Sequence, residues 1–381
     1  MDMTTLLKKP LQHLSGSGIR EFARLAQEKE GCISLTLGEP DFNTPANIKG
    51  ALKNALDDNL THYAPNAGYD SLRKAIADFE QQKGIFYKPE EVIVTIGATE
   101  ALFAGLFSIL APGDEVIVPV PAFSLYESII TMCGGKTVRL DTRDSGFQIG
   151  EEQLRAAYSS RTKAIILNSP NNPTGAVYTE ETLDCLHDFL KDKPLFILCD
   201  EVYGQLAFED YRSFPSYGDL KDRLIVVQSF SKPYAMTGFR AGYLLADRPV
   251  VEILEKVHQY NVVSIPSFVQ AACEEALSFD SADMRASYRR RTQYVCDRLE
   301  EMGLAVRPPD GGFYVFPSIA DFGMSSDAFC RRLIEEEGLA LTPGSCFDGE
   351  GYVRISCCYS PAVLEAGLNR LERFVKNRLC I

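Results

Sequence analysis

The sequence predicts an α/β fold: a three-layer, mostly parallel sheet (a cofactor-sized domain) with a smaller α/β domain beside it. Three observations carry that expectation. The chain has 381 residues, more than one ordinary domain and suited to two or three. From about residue 90 onward, short β-branched runs, apolar on both faces, alternate with helical patterns. Continuous rather than alternating hydrophobicity marks strands covered on both sides. Hydrophobic residues at 45% and charged residues at 24% are the proportions of a globular chain with a sizeable core.

In order, the runs are EVIVTIG (91–97), EVIVPVP (115–121), KTVRLD (136–141), KAIILNS (163–169), LFILCDE (195–201), LIVVQSF (224–230) and GYLLAD (242–247). Only residues 231–241 separate the last two, so GYLLAD is a candidate antiparallel member. The C-terminal third reads differently. DMRASYRRRTQYVCDRLEEMG (283–303) is a charged amphipathic helix closed by Gly303. GGFYVFP (311–317) and GYVRISC (351–357) read as strands, and a last helix sets Leu364, Leu368, Leu371 and Val375 on one face. The expected division is an N-terminal segment, 1–45, packing on the small domain, a large domain over 46–275, and the small C-terminal domain over 276–381.

Charge excludes some functions. Lys plus Arg number 39 against 52 Asp plus Glu, a net of −13. With no basic block, the chain is a poor candidate for nucleic acid or an anionic membrane. Any anionic ligand must be held by a few local donors. No apolar run approaches the roughly 18 residues of a membrane span. The N-terminus shows no secretory pattern. The eleven cysteines include no C-x-x-C pair and no Cys/His cluster at metal spacing, which predicts reduced, mostly buried thiols, no metal, and a cytoplasmic setting.

In open α/β sheets, ligands bind beyond the carboxyl ends of the strands. After EVIVTIG come Ala98 and Thr99, opening an apolar helix. A Gly-turn at a helix start presents free N–H groups suited to a phosphate, although it also serves as an ordinary connector. After KAIILNS comes PNNPTG, either a rigid turn or a site loop. LFILC ends in Asp200 and Glu201, followed by Tyr203. A carboxylate ending a buried strand must be paired, capped or placed against a ligand cation. LIVVQSF carries Ser229 and leads to Ser231 and Lys232, with Arg240 beyond. The chain has no G-x-G-x-x-G after its first strand, no G-x-x-x-x-G-K-[ST] and no G-x-S-x-G. A lysine, a carboxylate, an arginine and a phosphate cradle at one edge are what pyridoxal phosphate requires.

On these residues the chain resembles a fold-type I pyridoxal-phosphate aminotransferase of class I/II. The aspartate-aminotransferase-like branch with aromatic and N-acetyl-diaminopimelate enzymes is the nearest in pattern. The resemblance runs from SGIREF (17–22) through LGEPDF (37–42), HYAPNAG (62–68), NSPNNPTG (168–175), DEVY (200–203) and SFSKPYAMTGFRAGY (229–243) to GYVRIS (351–356). It implies that Lys232 forms the internal aldimine and moves the substrate proton, and that Asp200 pairs with the pyridine nitrogen. Tyr203 and Asn172 would bond the ring 3′ oxygen, and Phe123 would stack on the ring where many relatives carry Trp or Tyr. The phosphate would take Ala98, Thr99, Ser229 and Arg240, with Tyr63 reaching in from the other subunit of a homodimer. Arg354, seconded by the backbone N–H of Gly38, would clamp the substrate α-carboxylate. Gly312 stands where Ala is usual, which predicts a loosened turn. No arginine is assigned to a substrate side chain, and the apolar and amide residues of HQYNVVSIPSF (258–268) are the expected lining of that pocket.

The function so implied is ping-pong transamination between an L-amino acid and a 2-oxo acid, with 2-oxoglutarate the expected acceptor. A carbon–sulfur β-lyase on the same scaffold is the alternative enzyme. A cofactor-sensing domain of a transcriptional regulator is the alternative outside catalysis, and acidity counts against it.

Overall fold

The computed structural model describes residues 3–12, 14 and 16–379. Strand β1 (Ile33–Ser34) precedes seven strands of a central sheet: β2 (Val92–Thr95), β3 (Glu115–Val120), β4 (Lys136–Asp141), β5 (Thr162–Asn168), β6 (Phe196–Asp200), β7 (Leu224–Ser229) and β8 (Gly242–Ala246). Four short strands follow: β9 (Tyr314–Val315), β10 (Leu339–Ala340), β11 (Thr342–Pro343) and β12 (Val353–Ser356).

The central sheet has the order β2-β8-β7-β6-β5-β3-β4. Its pairs are parallel from β7 through to β4, whereas β8 is antiparallel to both β7 and β2. GYLLAD is therefore the antiparallel member, and β2 runs in the common direction on its far side. This arrangement decides where the polar residues meet. The carboxyl ends of β2, β5, β6 and β7 lie along one edge, and the reversed β8 delivers the residue before it, Arg240 included, to that same edge.

Both faces of the sheet are covered, which explains the unbroken hydrophobic runs. Leu198, Ile166, Val116 and Val227 join Leu102, Leu106 and Leu254 from helices Gly97–Ile109 and Arg248–Val262. Their neighbours Ile197, Ile165 and Ile117 point the other way, onto Leu183, Leu186 and Leu190 of helix Glu180–Leu190. That helix starts where the Thr179 hydroxyl accepts the Thr182 N–H, a cap worth about 1 kcal/mol.

A second core joins the two ends of the chain. Phe22 and Leu35 pack with Leu299, Phe313, Phe329 and the predicted stripe Leu364, Leu368, Leu371 and Val375 of helix Pro361–Leu379. Strand β1 pairs in parallel with β10, and β12 lies antiparallel between β11 and β9. Truncating one of these fully buried leucines to alanine would cost about 2–5 kcal/mol. Gly312 is not a loosened turn: its φ is +71°, where glycine is favoured, and its N–H donates to the Leu206 carbonyl at 2.9 Å.

Among the described residues the cysteines are free thiols, most of them buried. No group of side chains there is arranged to hold a metal ion, and no helix is long and apolar enough to cross a membrane.

Candidate active site

Apart from Tyr63 and the expected side-chain pocket of 258–268, every residue predicted for the site lines one cavity of about 320 Å³ at the carboxyl edge of the sheet. Tyr63 stands outside it, 90% exposed.

At one end is the turn from β2 into helix Gly97–Ile109. Gly97 has φ +69°, and a Cβ there would come within 2.9 Å of the Arg240 guanidinium. A Cβ on Gly242 would lie 2.9 Å from the Ala98 nitrogen and 2.7 Å from the Gln228 carbonyl oxygen. Two glycines thus let Arg240 and the helix start approach each other closely. The Ser229 hydroxyl accepts the Ser231 N–H at 3.0 Å beside them. A guanidinium, a hydroxyl and the first N–H groups of a helix make this end an anion cradle.

Lys232 lies midway. Its Nζ donates to the Gly38 carbonyl at 2.7 Å. Burial pushes its pKa down, and Arg354 and Arg240 add to that against the opposing pull of Cys358 and Glu39. Such an amine reaches its neutral, nucleophilic form more readily than an exposed lysine. Gly38 itself tolerates no side chain, because the Tyr314 hydroxyl occupies the space within 1.7 Å of where a Cβ would stand.

Asp200 closes β6 with both carboxylate oxygens engaged. The Tyr126 hydroxyl donates to Oδ2 at 2.6 Å and the Val202 N–H to Oδ1 at 3.3 Å. Burial raises the Asp200 pKa to about 6, against the pull of those two donors. The Asn168 amide donates to the Asp200 carbonyl at 2.9 Å, and its oxygen accepts the Asn172 N–H at 2.9 Å. The PNNPTG loop is in this way tied to the strand that bears the acid.

The far end belongs to Arg354, a 1% exposed cation. Its Nη1 donates to Asn172 Oδ1 at 2.8 Å and Nη2 to the Thr36 carbonyl at 2.6 Å. Its carbon centre lies 4.3 Å from the Tyr314 ring and 4.7 Å from the Phe347 ring. Nε is buried with no partner among the described residues. The Tyr203 and Tyr314 hydroxyls are 3.2 Å apart beside it, and burial raises both phenols above their ordinary value.

Some of these residues were not expected from the sequence. Tyr126 reads there as a core aromatic in PAFSLYE, and only its contact with Asp200, 74 positions on, gives it a role. Arg20 also lines the cavity, with Ser17 and Leu37, and makes no ion pair among the described residues; SGIR is visible as a motif but not as a wall of the site. The expectation for 258–268 needs correction. Within the chain none of these residues lines the cavity. His258 is instead buried beneath the Gly97–Ile109 helix, and Pro266 and Phe268 line an adjoining groove.

The sequence profile of Aminotransferase class I and II matches residues 30–371. A Bacillus subtilis (strain 168) protein named "Probable N-acetyl-LL-diaminopimelate aminotransferase" is 45% identical, over 98% of this chain and 96% of that one. Aromatic-amino-acid aminotransferase 2 of Thermococcus litoralis is 39% identical, over 98% and 99% respectively. The aspartate aminotransferase of Thermus thermophilus solved with maleate superposes with a TM-score of 0.92 at 35% identity, over 96% of this chain and 99% of that one. The chain belongs to the class I and II aminotransferases, a family of α/β enzymes that transfer amino groups.

Proposed function

We propose that this enzyme uses pyridoxal 5′-phosphate to move an amino group from an L-amino acid to a 2-oxo acid, in two half-reactions that share one site. The observation that carries the reading is Lys232 and Asp200 lining one cavity together with an anion cradle and a buried arginine. The residues fit that cofactor: the cradle is shaped by glycines that admit no side chain, and the acid sits where a cationic ring nitrogen can pair with it. Ala98, Thr99, Ser229 and Arg240 hold its phosphate, Phe123 covers one ring face, and Asn172 and Tyr203 bond its ring oxygen. Bound there, the cofactor supplies an aldehyde for amine exchange and a ring that accepts the electrons of the substrate Cα–H bond.

The protein's own groups do the rest. Asp200, held ionised by Tyr126 and Val202, keeps the ring nitrogen protonated. Lys232 Nζ, pushed toward neutrality by burial, takes the proton from the substrate Cα and delivers it on the other side of the transferred nitrogen. Arg354 grips the α-carboxylate, its fork already oriented by Thr36 and Asn172, and the Gly38 N–H seconds it. Arg20 also lines the cavity and suits a second carboxylate, which supports 2-oxoglutarate as the acceptor.

We further assign the active form to a cytoplasmic homodimer. The exposed Tyr63, Phe107, Ile253 and Tyr260 support an apolar contact face, with Tyr63 entering the partner's cavity. The free thiols support a reducing compartment.

The purified protein should be yellow and should bleach when an amino donor is added. A panel of aromatic amino acids, aspartate, glutamate and acylated diaminopimelate, each assayed with 2-oxoglutarate, identifies the donor. Full turnover in Lys232→Ala would overturn the mechanism.

A further inference from the structure

His258 lies outside the cavity and is 0% exposed. It projects from helix Arg248–Val262 toward helix Gly97–Ile109, whose first turn is the anion cradle. Both ring nitrogens are engaged. Nε2 is 2.8 Å from the Asn66 carbonyl oxygen and Nδ1 is 3.2 Å from Glu100 Oε1. A carbonyl only accepts, so Nε2 carries a hydrogen. Nδ1 and a carboxylate oxygen bond only if another hydrogen lies between them. Histidine and acid together therefore hold one proton between them and carry no net charge, the condition under which a buried pair is tolerated.

The ends of this chain of bonds matter. Glu100 Oε2 accepts the N–H of Ile96 at 3.2 Å, the residue just before the helix begins at Gly97. Asn66 belongs to the HYAPNAG loop that carries Tyr63, and the next carbonyl in that loop, of Ala67, accepts the Val94 N–H of β2 at 3.0 Å. One imidazole thus spans the cradle turn and the loop bearing the exposed tyrosine.

We propose that His258 and Glu100 are a positioning pair, a buried clamp closed by a single proton that sets the Gly97–Thr99 turn and joins it to the Tyr63 loop. The inference rests on the reading of that turn as the phosphate seat. Neither residue touches the cavity, so the pair acts through the backbone it holds.

The geometry makes a distinctive demand on substitutions. In Glu100→Gln the amide donates to a neutral Nδ1 and its oxygen still accepts the Ile96 N–H, so the clamp persists. In Glu100→Leu both bonds are lost. The measurement is release of pyridoxal phosphate from holoenzyme, followed by chase into excess acceptor apoprotein, together with the ³¹P resonance of the bound cofactor. Release should quicken at least about tenfold in Glu100→Leu and His258→Leu, and less than about threefold in Glu100→Gln. The double variant Glu100→Leu/His258→Leu should be no worse than either single one, because both remove the same link. The ³¹P resonance should move in the leucine variants and stay in Glu100→Gln. Should His258→Leu fail to fold, His258→Gln, which keeps a donor for Asn66, is read in its place. Wild-type release rates and resonance in Glu100→Leu would overturn the clamp, as would equal losses in Glu100→Gln and Glu100→Leu. If the wild-type protein takes up no pyridoxal phosphate, the functional reading itself fails, a result separate from the variant comparison.

Discussion

Asp200 and Glu201 are neighbours in the chain, both buried, yet they serve opposite sides of the sheet edge. Asp200 faces the cavity, where Tyr126 and Val202 donate to it and Lys232 shares its space. Glu201 turns to the back and accepts a hydrogen bond from Ser213. It lies near Glu80, which Tyr243 and Lys83 hold at 2.6 and 2.8 Å. Burial raises both acids, to about 6 and about 7. A displaced titration does not by itself mark a catalytic group. What separates the two is access: one carboxylate can meet a ligand cation, and the other is sealed among its own partners.

Exchanging each acid for its amide is the sharpest way to break that contrast. Asp200→Asn should lower kcat by about 10²–10⁴-fold with little change in melting temperature, measured on cofactor-loaded protein. Glu201→Gln should leave kcat within about twofold, because no atom of it reaches the cavity; a loss as deep as that of Asp200→Asn would erase the distinction. Next in size is Arg354→Lys. A point charge replaces a buried fork, so KM for the amino acid should rise by about 2–3 kcal/mol, or roughly 30- to 150-fold, while the folded state survives.

Glu201 also predicts a pH effect. Its folded pKa lies above the ordinary glutamate value, so ionisation opposes folding: the wild type should lose stability as pH rises from about 4.5 toward 7. The loss from this group is about 3 kcal/mol once pH exceeds 7. Glu201→Gln should flatten that slope, read as urea midpoints at pH 5 and pH 8. The smallest expected effect is that of Tyr126→Phe. Loss of one donor to Asp200 should cost about 1.5–3 kcal/mol of support for the ionised acid, visible as a lower kcat on the acid side of the rate profile and unchanged on the alkaline side.

The contrast also shows what a linear reading of the chain can reach. Buried strands announce themselves because both of their faces are apolar, and the residues that end them, Asp200, Ser229 and Asn168, fall at one edge by the geometry of parallel sheets. Arg240 joins them only because β8 is reversed, a feature readable from the short 231–241 connection. Residues whose role depends on a distant partner are another matter. Tyr126 resembles any core aromatic until Asp200 is found beside it. His258 heads a segment whose apolar and amide residues read as a pocket lining; the packing of two helices puts its own ring behind the cradle. Arg20 lies in a recognisable motif, but the motif does not say which way its helix faces.

The anchoring of Arg354 has a temporal consequence. Arg354 leans on the Thr36 carbonyl, 318 positions earlier, and β1 finds its partner only in β10. A ribosome releases the lysine, the acid and the anion cradle well before it has made the arginine. The anion cradle is complete in sequence by Arg240, whereas the guanidinium at the same cavity is supplied only by Arg354.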